Sequence, residues 1–173
     1  MMRERSEKRT YPPFCPPLKG CVSRDARMAR RLLGAYLNEI YAVAANSYHS
    51  LLCEGYDQSL SALFEELATD ALSRFRLLGR LILALGGTPT VRTQLRIGAA
   101  PLSDCEDGHD RERWLEETLR HRRGSIELYQ TLMGMTEDRI VRSVLVQLLD
   151  GEQYAVRRLA DAMRKLKKDE CCD

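Results

Sequence analysis

The segment Ser59–Gly87, SLSALFEELATDALSRFRLLGRLILALGG, decides the fold that this sequence predicts. Its apolar residues recur at steps of three and four, which places them along one face of a helix. They are Leu60, Leu63, Phe64, Leu67, Ala71, Phe75, Leu78, Ile82 and Leu85. Gly86 and Gly87 favour a left-handed end to this helix, and Pro89 prevents its continuation. A helix of roughly eight turns with one apolar stripe needs partner helices of similar length.

Three further amphipathic segments supply those partners. The first runs from an expected N-cap at Ser23 to about Cys53, the third starts near Asp110 and ends at Gly134, and the fourth starts after a cap at Thr136. The core stripe expected for the first helix is Ala29, Leu32, Leu33, Tyr36, Leu37, Ile40, Val43, Ala44, Ser47 and Leu51. Each of these segments is long enough to pack along the central helix.

The lengths of the connections determine the predicted topology. Short turns at Gly55 and at Gly134 make the first two helices antiparallel, and likewise the last two. The irregular stretch of about twenty residues after Gly87 is long enough to cross from one end of the bundle to the other. We therefore predict an all-α, up-down-down-up four-helix bundle over residues 23–168. A Pro- and Cys-containing arm at 1–22 precedes it, and a short tail at 169–173 follows.

Composition limits the classes of partner. The 173 residues carry a net charge of +2, so no overall field favours nucleic acid or anionic lipid. No apolar run approaches the roughly 20 residues of a membrane span, and the basic first residues lead into prolines instead of a signal core. We expect a cytoplasmic protein with reduced thiols that binds neither nucleic acid nor membrane.

Three segments carry a recognisable pattern: LRHRRGSIELYQTL at 119–132, FRLLGRLILALGGTP at 75–89 and LLDGEQYAVRRL at 148–159. They resemble the ferritin-like superfamily, particularly the rubrerythrin- and bacterioferritin-type proteins of bacteria. The first looks like the family's third helix, the second like the end of its second helix, and the last like the Asp-Glu-x-x-His segment of its fourth. In metal-bearing members, one helix of each hairpin supplies a Glu and the other supplies Glu-x-x-His. The resemblance therefore implies a ferritin-like bundle with a central dinuclear metal site.

This sequence departs from that ligand pattern at most positions. The corresponding residues are Glu39 on the first helix, Ala71 and Arg74 on the second, Arg122 on the third, and Glu152 and Ala155 on the fourth. A register one residue earlier gives Asp70 with Ser73 and Gly151 with Tyr154. No register yields Glu-x-x-His, and His49, His109 and His121 lie elsewhere. We expect a degenerate site without a resident cofactor.

The charges left at these positions suggest what replaces the metal. Arg122 interrupts the apolar stripe of the third helix, and Arg74 lies beside that of the second. A guanidinium group can pair bidentately with a carboxylate and always carries charge. We hypothesise a metal-replacing ion-pair network of Glu39, Arg74, Arg122 and Glu152. In the alternative interpretation, both arginines extend their charged ends to solvent from the edge of the stripe.

Two functions from different classes follow from this interpretation. The favoured one is a non-catalytic binding or structural protein that forms a homodimer through exposed apolar residues such as Tyr41, Leu52 and Trp114. The alternative is an oxidoreductase or metal-storage protein with a reduced ligand set. It would hold iron or manganese, as a pair or as a single ion.

The ligands of such a reduced site are few. They would be Glu39, Asp70 and Glu152, with Glu66 as a further carboxylate for a hard cation. A third option, a thiol-based role, would involve Cys15, Cys21, Cys171 and Cys172.

Overall fold

The computed structural model describes residues 22–90 and 110–169 of the chain. These residues form four helices, α1 (Ala26–Cys53), α2 (Gln58–Ala84), α3 (Asp110–Gly134) and α4 (Arg139–Asp169). α1 packs mainly against α2 and α3 against α4, and the two hairpins meet through α1 with α3 and α2 with α4. The predicted all-α four-helix bundle is confirmed. The four cysteines named for a thiol-based role, and most of the crossover, lie outside the described residues.

Contacts between the helices give their directions. Arg74 of α2 contacts Glu39 of α1, and Ser61, earlier on α2, contacts Ser50, later on α1. The two helices are therefore antiparallel. On α3, Tyr129 lies beside Glu39 and Trp114 beside His49, so α3 also runs against α1. α2 and α3 are therefore parallel, as an end-to-end crossover requires. None of the four helices, over the described residues, is long and apolar enough to cross a membrane.

Aspartates cap the N-termini of α1 and α4, where the sequence analysis predicted a serine and a threonine. The Asp25 carboxylate accepts the backbone N–H groups of the second and third residues after it, both at 2.9 Å, so the prediction of Ser23 as the cap of α1 is wrong. Asp138 does the same for α4 at 2.8 and 3.1 Å, which corrects the prediction of Thr136. A carboxylate immediately before a helix satisfies free N–H groups and complements the positive helix end.

The end of α2 is fixed against the start of α1. Gly86 adopts the expected left-handed conformation, with φ of 81°. A Cβ atom at Gly87 would lie 2.6 Å from the Cβ of Ala29, so only glycine allows this approach. The backbone N–H of Asp25 also donates to the Leu85 carbonyl at 3.1 Å. The two helices are thereby held together at one end of the bundle.

The core consists of two apolar clusters with a polar layer between them. One cluster is built around Leu32, Leu78 and Leu145, and the other around Phe64 and Leu159. The charged residues Glu39, Arg74, Arg122 and Glu152 are also buried. Such a buried polar layer is tolerated only when its groups satisfy one another.

The stripe expected to face the core on α1 is wrong in part. Leu37 and Leu51 are 40% and 67% exposed, and Ala44 and Ser47 are exposed as well. The buried face of α1 instead includes Glu39 and Asn46. α1 is apolar on both sides, so helical periodicity alone cannot identify the side that faces the core.

Candidate functional site

The four residues expected to form an ion-pair network come together in the middle of the bundle, one from each helix. Glu39 and Glu152 are 1% and 0% exposed, and Arg74 and Arg122 are 7% and 0% exposed. The alternative in which the arginines extend to solvent is therefore wrong. The contacts among them place one residue of each helix at the same level of the bundle.

Each guanidinium group contacts at least one carboxylate. The Nε atom of Arg74 lies 3.1 Å from Oε2 of Glu39 and 3.1 Å from Oε1 of Glu152. The Nη1 atom of Arg122 donates to the two carboxylate oxygens of Glu152 at 3.1 and 3.4 Å, and lies 4.0 Å from Oε2 of Glu39. Its Nη2 atom donates to the Leu67 carbonyl on α2 at 3.3 Å. Two cations and two anions thus form one contiguous cluster.

A tyrosine completes the cluster, and sequence reasoning did not assign it there. The hydroxyl of Tyr129, 1% exposed, donates to Oε1 of Glu39 at 2.5 Å. Tyr129 follows Arg122 by seven residues, so both lie on the same face of α3. That spacing was the available signal, but a tyrosine on an apolar stripe is equally typical of an ordinary core.

Burial and charge shift the pKa values of these groups in a consistent way. Burial raises the pKa of Glu152 to about 7, against the opposing effect of Arg74 and Arg122. Burial alone would lower the pKa of Arg74, but Glu39 and Glu152 raise it overall. Burial and then the Glu39 charge raise the pKa of Tyr129 well above its usual value. Arg74 and Tyr129 therefore keep their protons at neutral pH.

The donor set at this centre does not fit a dinuclear metal site. Only two of the four central residues are carboxylates, and the guanidinium groups of Arg74 and Arg122 would repel a cation. Ala71 and Ala155, at two further ligand positions, offer no donor atom. Across residues 22–90 and 110–169, no three His, Cys, Asp or Glu side chains form a group able to hold a metal ion.

The other residues suggested for a single-metal site do not join Glu39 and Glu152. Asp70 is half-buried on α2, one turn before Arg74, and burial raises the pKa of its carboxyl group. Glu66 is exposed and pairs with Arg158 of α4. Neither carboxylate adds a ligand at the centre.

Two histidines occupy separate positions along the interface between α1 and α3. His121 shares a 2.9 Å hydrogen bond with the Asn38 side-chain oxygen, and its pKa is lowered by burial and then by Arg122. The ring of His49 stacks on that of Trp114, with 5.5 Å between centroids. Trp114 is half-buried there, and Leu52 of α1 is half-buried as well, which corrects the assignment of both to an exposed face.

Known proteins match the chain in family and in fold. The family model described as Ferritin-like domain matches residues 33–169. No curated protein matches the sequence significantly. Among solved structures, Rhodobacter capsulatus bacterioferritin, described with a metal-free dinuclear site and haem iron, matches with a TM-score of 0.70. The match covers 85% of this chain and 89% of that one at 20% identity, so it shows the fold alone.

Proposed function

The chain belongs to the ferritin-like family, and we propose that it is a non-catalytic binding or structural member whose dinuclear metal site has given way to a buried arginine–glutamate network. One observation carries this proposal. The guanidinium groups of Arg74 and Arg122 bind the only two carboxylates that meet at the centre of the described bundle.

Charge balance argues against a metal ion at the centre of the described bundle, and the two buried atoms there without a hydrogen-bond partner, Nη2 of Arg74 and Nε of Arg122, are both donors. Two guanidinium groups carry two positive charges and two carboxyl groups carry at most two negative ones, so no residual negative charge attracts a metal ion. An incoming cation would have to displace hydrogen bonds to charged groups, each worth about 1.5–3 kcal/mol. It would also approach two fixed positive charges in a medium where screening is weak.

The network supports a structural role for the centre. Its members come from all four helices, and each hydrogen bond requires one relative position of two helices along the bundle axis. Buried ion pairs of this kind favour specificity of packing more than net stability. We infer that the network sets the register in which the two hairpins pack.

The proposal includes an assembly and a compartment. We propose a homodimer, supported by large apolar side chains on the surface of α1 such as Tyr41, which is 59% exposed. We also propose a cytoplasmic location, supported by six cysteines in a long helical chain and by Cys53, which is a free thiol buried in the core.

The decisive experiment restores the missing ligands. A variant carrying Ala71→Glu, Arg74→His, Arg122→Glu and Ala155→His, with Glu39 and Glu152 retained, would hold the complete set of two Glu and two Glu-x-x-His groups. Ferrous iron is titrated in air into this variant and into the wild-type protein, and the near-ultraviolet absorption of an oxo-bridged iron pair is followed.

We expect the restored variant to take up two irons per chain and the wild type to show neither stoichiometric uptake nor oxidation. A wild-type chain that binds and oxidises iron would overturn the proposal and support the oxidase or metal-storage alternative. A restored variant that keeps its helical circular dichroism but binds no iron would contradict the derivation of this centre from a metal site. The wild-type titration decides the question even if the restored variant fails to fold.

A further inference from the structure

Two buried donor groups at the centre of the bundle have no acceptor among the described residues. They are Nη2 of Arg74 and Nε of Arg122, whose side chains come from α2 and α3 and are almost completely buried. Each belongs to a guanidinium group in which another nitrogen lies 3.1 Å from Oε1 of Glu152. Two unpartnered N–H groups of positively charged side chains therefore lie beside the same carboxyl group.

The carboxylate oxygens around these donors already accept other hydrogen bonds. Oε1 of Glu39 accepts from the Tyr129 hydroxyl, and Oε2 of Glu39 accepts from Nε of Arg74. Both carboxylate oxygens of Glu152 accept from Nη1 of Arg122. A buried donor without an acceptor is costly, and native structures leave few of them. The centre therefore needs one more acceptor.

Neighbouring side chains in the described bundle do not supply that acceptor. Ala71 lies one turn before Arg74, and Ala155 lies one turn after Glu152. Both alanines are fully buried, and their methyl groups accept no hydrogen bond. Asp70, also on α2, is half-buried and makes no hydrogen bond with either donor. A bound ion or a water molecule is the source that remains among the groups described.

Hydrogen-bond balance distinguishes water from an anion at this position. A water molecule that accepts from both guanidinium groups has two O–H groups of its own to donate, and the carboxylate oxygens nearby are already bonded. An anion accepts hydrogen bonds without donating any. It also meets no net negative charge, because the two carboxyl groups at most balance the two guanidinium groups. Both considerations favour an anion.

We propose that the centre binds one small monovalent anion, of the size of chloride, between Nη2 of Arg74 and Nε of Arg122. The guanidinium groups supply the positive charge and the directed N–H groups that such a ligand needs. Metal-bearing members of the family hold cations at the centre of the bundle, whereas here the sign of the ligand is reversed.

This inference rests on the proposed arginine–glutamate network and names the ligand that the network binds. The two can fail separately. Iron uptake and oxidation by the wild type would refute the network itself. A wild type that takes up neither iron nor a small anion keeps the network and loses only the anion.

The dependence of stability on chloride tests the proposal in the full chain. The melting temperature is followed by circular dichroism at increasing sodium chloride, and sodium gluconate keeps the ionic strength constant because gluconate is too large for a closed core. A ligand that binds only the folded state raises the melting temperature as its concentration passes Kd. For a chain of 173 residues, chloride at about ten times Kd should raise it by roughly 3–6 °C.

One pair of variants separates the central site from general salt effects. Arg122→Lys keeps the positive charge and removes the Nε donor. Arg158→Lys is the matched control, because it makes the same change at a partly exposed guanidinium group that pairs with Glu66 outside the centre. We expect the chloride-dependent rise to disappear in Arg122→Lys and to persist in Arg158→Lys. Circular dichroism before heating checks that each variant is folded.

A second measurement locates the anion without any variant. Crystals of the wild-type protein grown in sodium bromide are measured at the bromine absorption edge, and we expect an anomalous difference peak within hydrogen-bond distance of Arg74 and Arg122. Equal melting temperatures of the wild type in chloride and in gluconate would overturn the proposal, even if bromide binds at the concentration of the crystal. A chloride effect that Arg122→Lys leaves unchanged, or a bromide peak only at other residues, would overturn it as well.

Discussion

Replacing Arg122 by methionine tests how strongly the central network is coupled. Methionine is unbranched and fills a similar path through the core without carrying charge. The substitution removes the 3.1 Å contact to Glu152 and the 3.3 Å hydrogen bond to the Leu67 carbonyl. The buried carboxyl group of Glu152, 0% exposed, is then left with Arg74 as its cationic partner, and Arg74 is also paired with Glu39.

The expected loss of stability follows from this imbalance. Breaking a buried ion pair by removing one partner costs about 3–5 kcal/mol, which is a large part of the roughly 5–15 kcal/mol that stabilises a typical domain. Glu152→Met should cost a similar amount, because it leaves Arg122 without a carboxylate in close contact. The double variant Arg122→Met/Glu152→Met leaves Arg74 paired with Glu39, and charge is again balanced. We expect it to be more stable than either single variant.

Urea unfolding followed by circular dichroism, at pH 8, where Glu152 is ionised in the wild type, and at one protein concentration, measures the four free energies of unfolding in this cycle. The control is Arg158→Met, which removes a partly exposed ion pair to Glu66 and should change stability by less than about 1 kcal/mol. If Arg122→Met costs no more than the control, or if the two single losses simply add in the double variant, the central network is not a coupled unit and the reasoning fails.

Three further predictions concern single groups. Burial raises the pKa of Glu152 to about 7 in the folded state, so the folded chain keeps a proton that the unfolded chain has already lost. Retention of this proton stabilises the fold by roughly 3 kcal/mol, an effect that should be complete at about pH 4 and lost as pH rises through 7. Urea unfolding from pH 4 to 9 should show this decline in the wild type and not in Glu152→Gln, and parallel curves would contradict it. Tyr129→Phe removes a hydrogen bond to the Glu39 carboxylate and should cost about 1.5–3 kcal/mol in the same assay at pH 7, whereas a change below about 0.5 kcal/mol would show the bond to be unimportant. Gly87→Ala places a methyl group against Ala29 and should lower stability by about 1–3 kcal/mol by overpacking, so an unchanged or raised melting temperature would refute the close approach.

The fold was predictable because several independent signals in the sequence agree. The stripe of α2, the glycine pair after it and the lengths of the connections all point to two antiparallel hairpins. The buried residues of α2, such as Phe64 and Leu78, are those that the periodicity indicated. The cap residues were less predictable, because Ser23 and Asp25 are both good caps and local sequence does not rank them.

The centre was only partly predictable. Charged residues on apolar stripes identified Arg122 and Glu152, but a sequence does not reveal whether an arginine turns inward or outward, since the energies of the two arrangements are similar. Tyr129 was missed because its hydroxyl matters only when Glu39 lies opposite it, a contact between residues 90 positions apart. That the network replaces a metal stays a proposal.

The core face of α1 shows a different limit. Helical periodicity predicts which residues share a side, but α1 has apolar residues on two opposite sides. Leu37 and Leu51 were therefore assigned to the core, whereas the structure exposes them and buries Glu39. Apolar periodicity marks a surface that is buried in the core and a surface that another molecule would cover in the same way, so the sequence alone does not distinguish the two.

The central claim is that Arg74 and Arg122 occupy the place of a metal at the centre of the bundle. The metal content of the native protein tests it most directly. The full chain is purified without chelator, affinity tag or added metal, and iron, manganese and zinc are measured by elemental analysis against protein concentration. The account predicts far less than one metal ion per chain, with no oxo-bridge absorption after ferrous iron is added. Two irons per chain with that absorption would contradict it, because Arg74 and Arg122 could not then occupy the positions between Glu39 and Glu152.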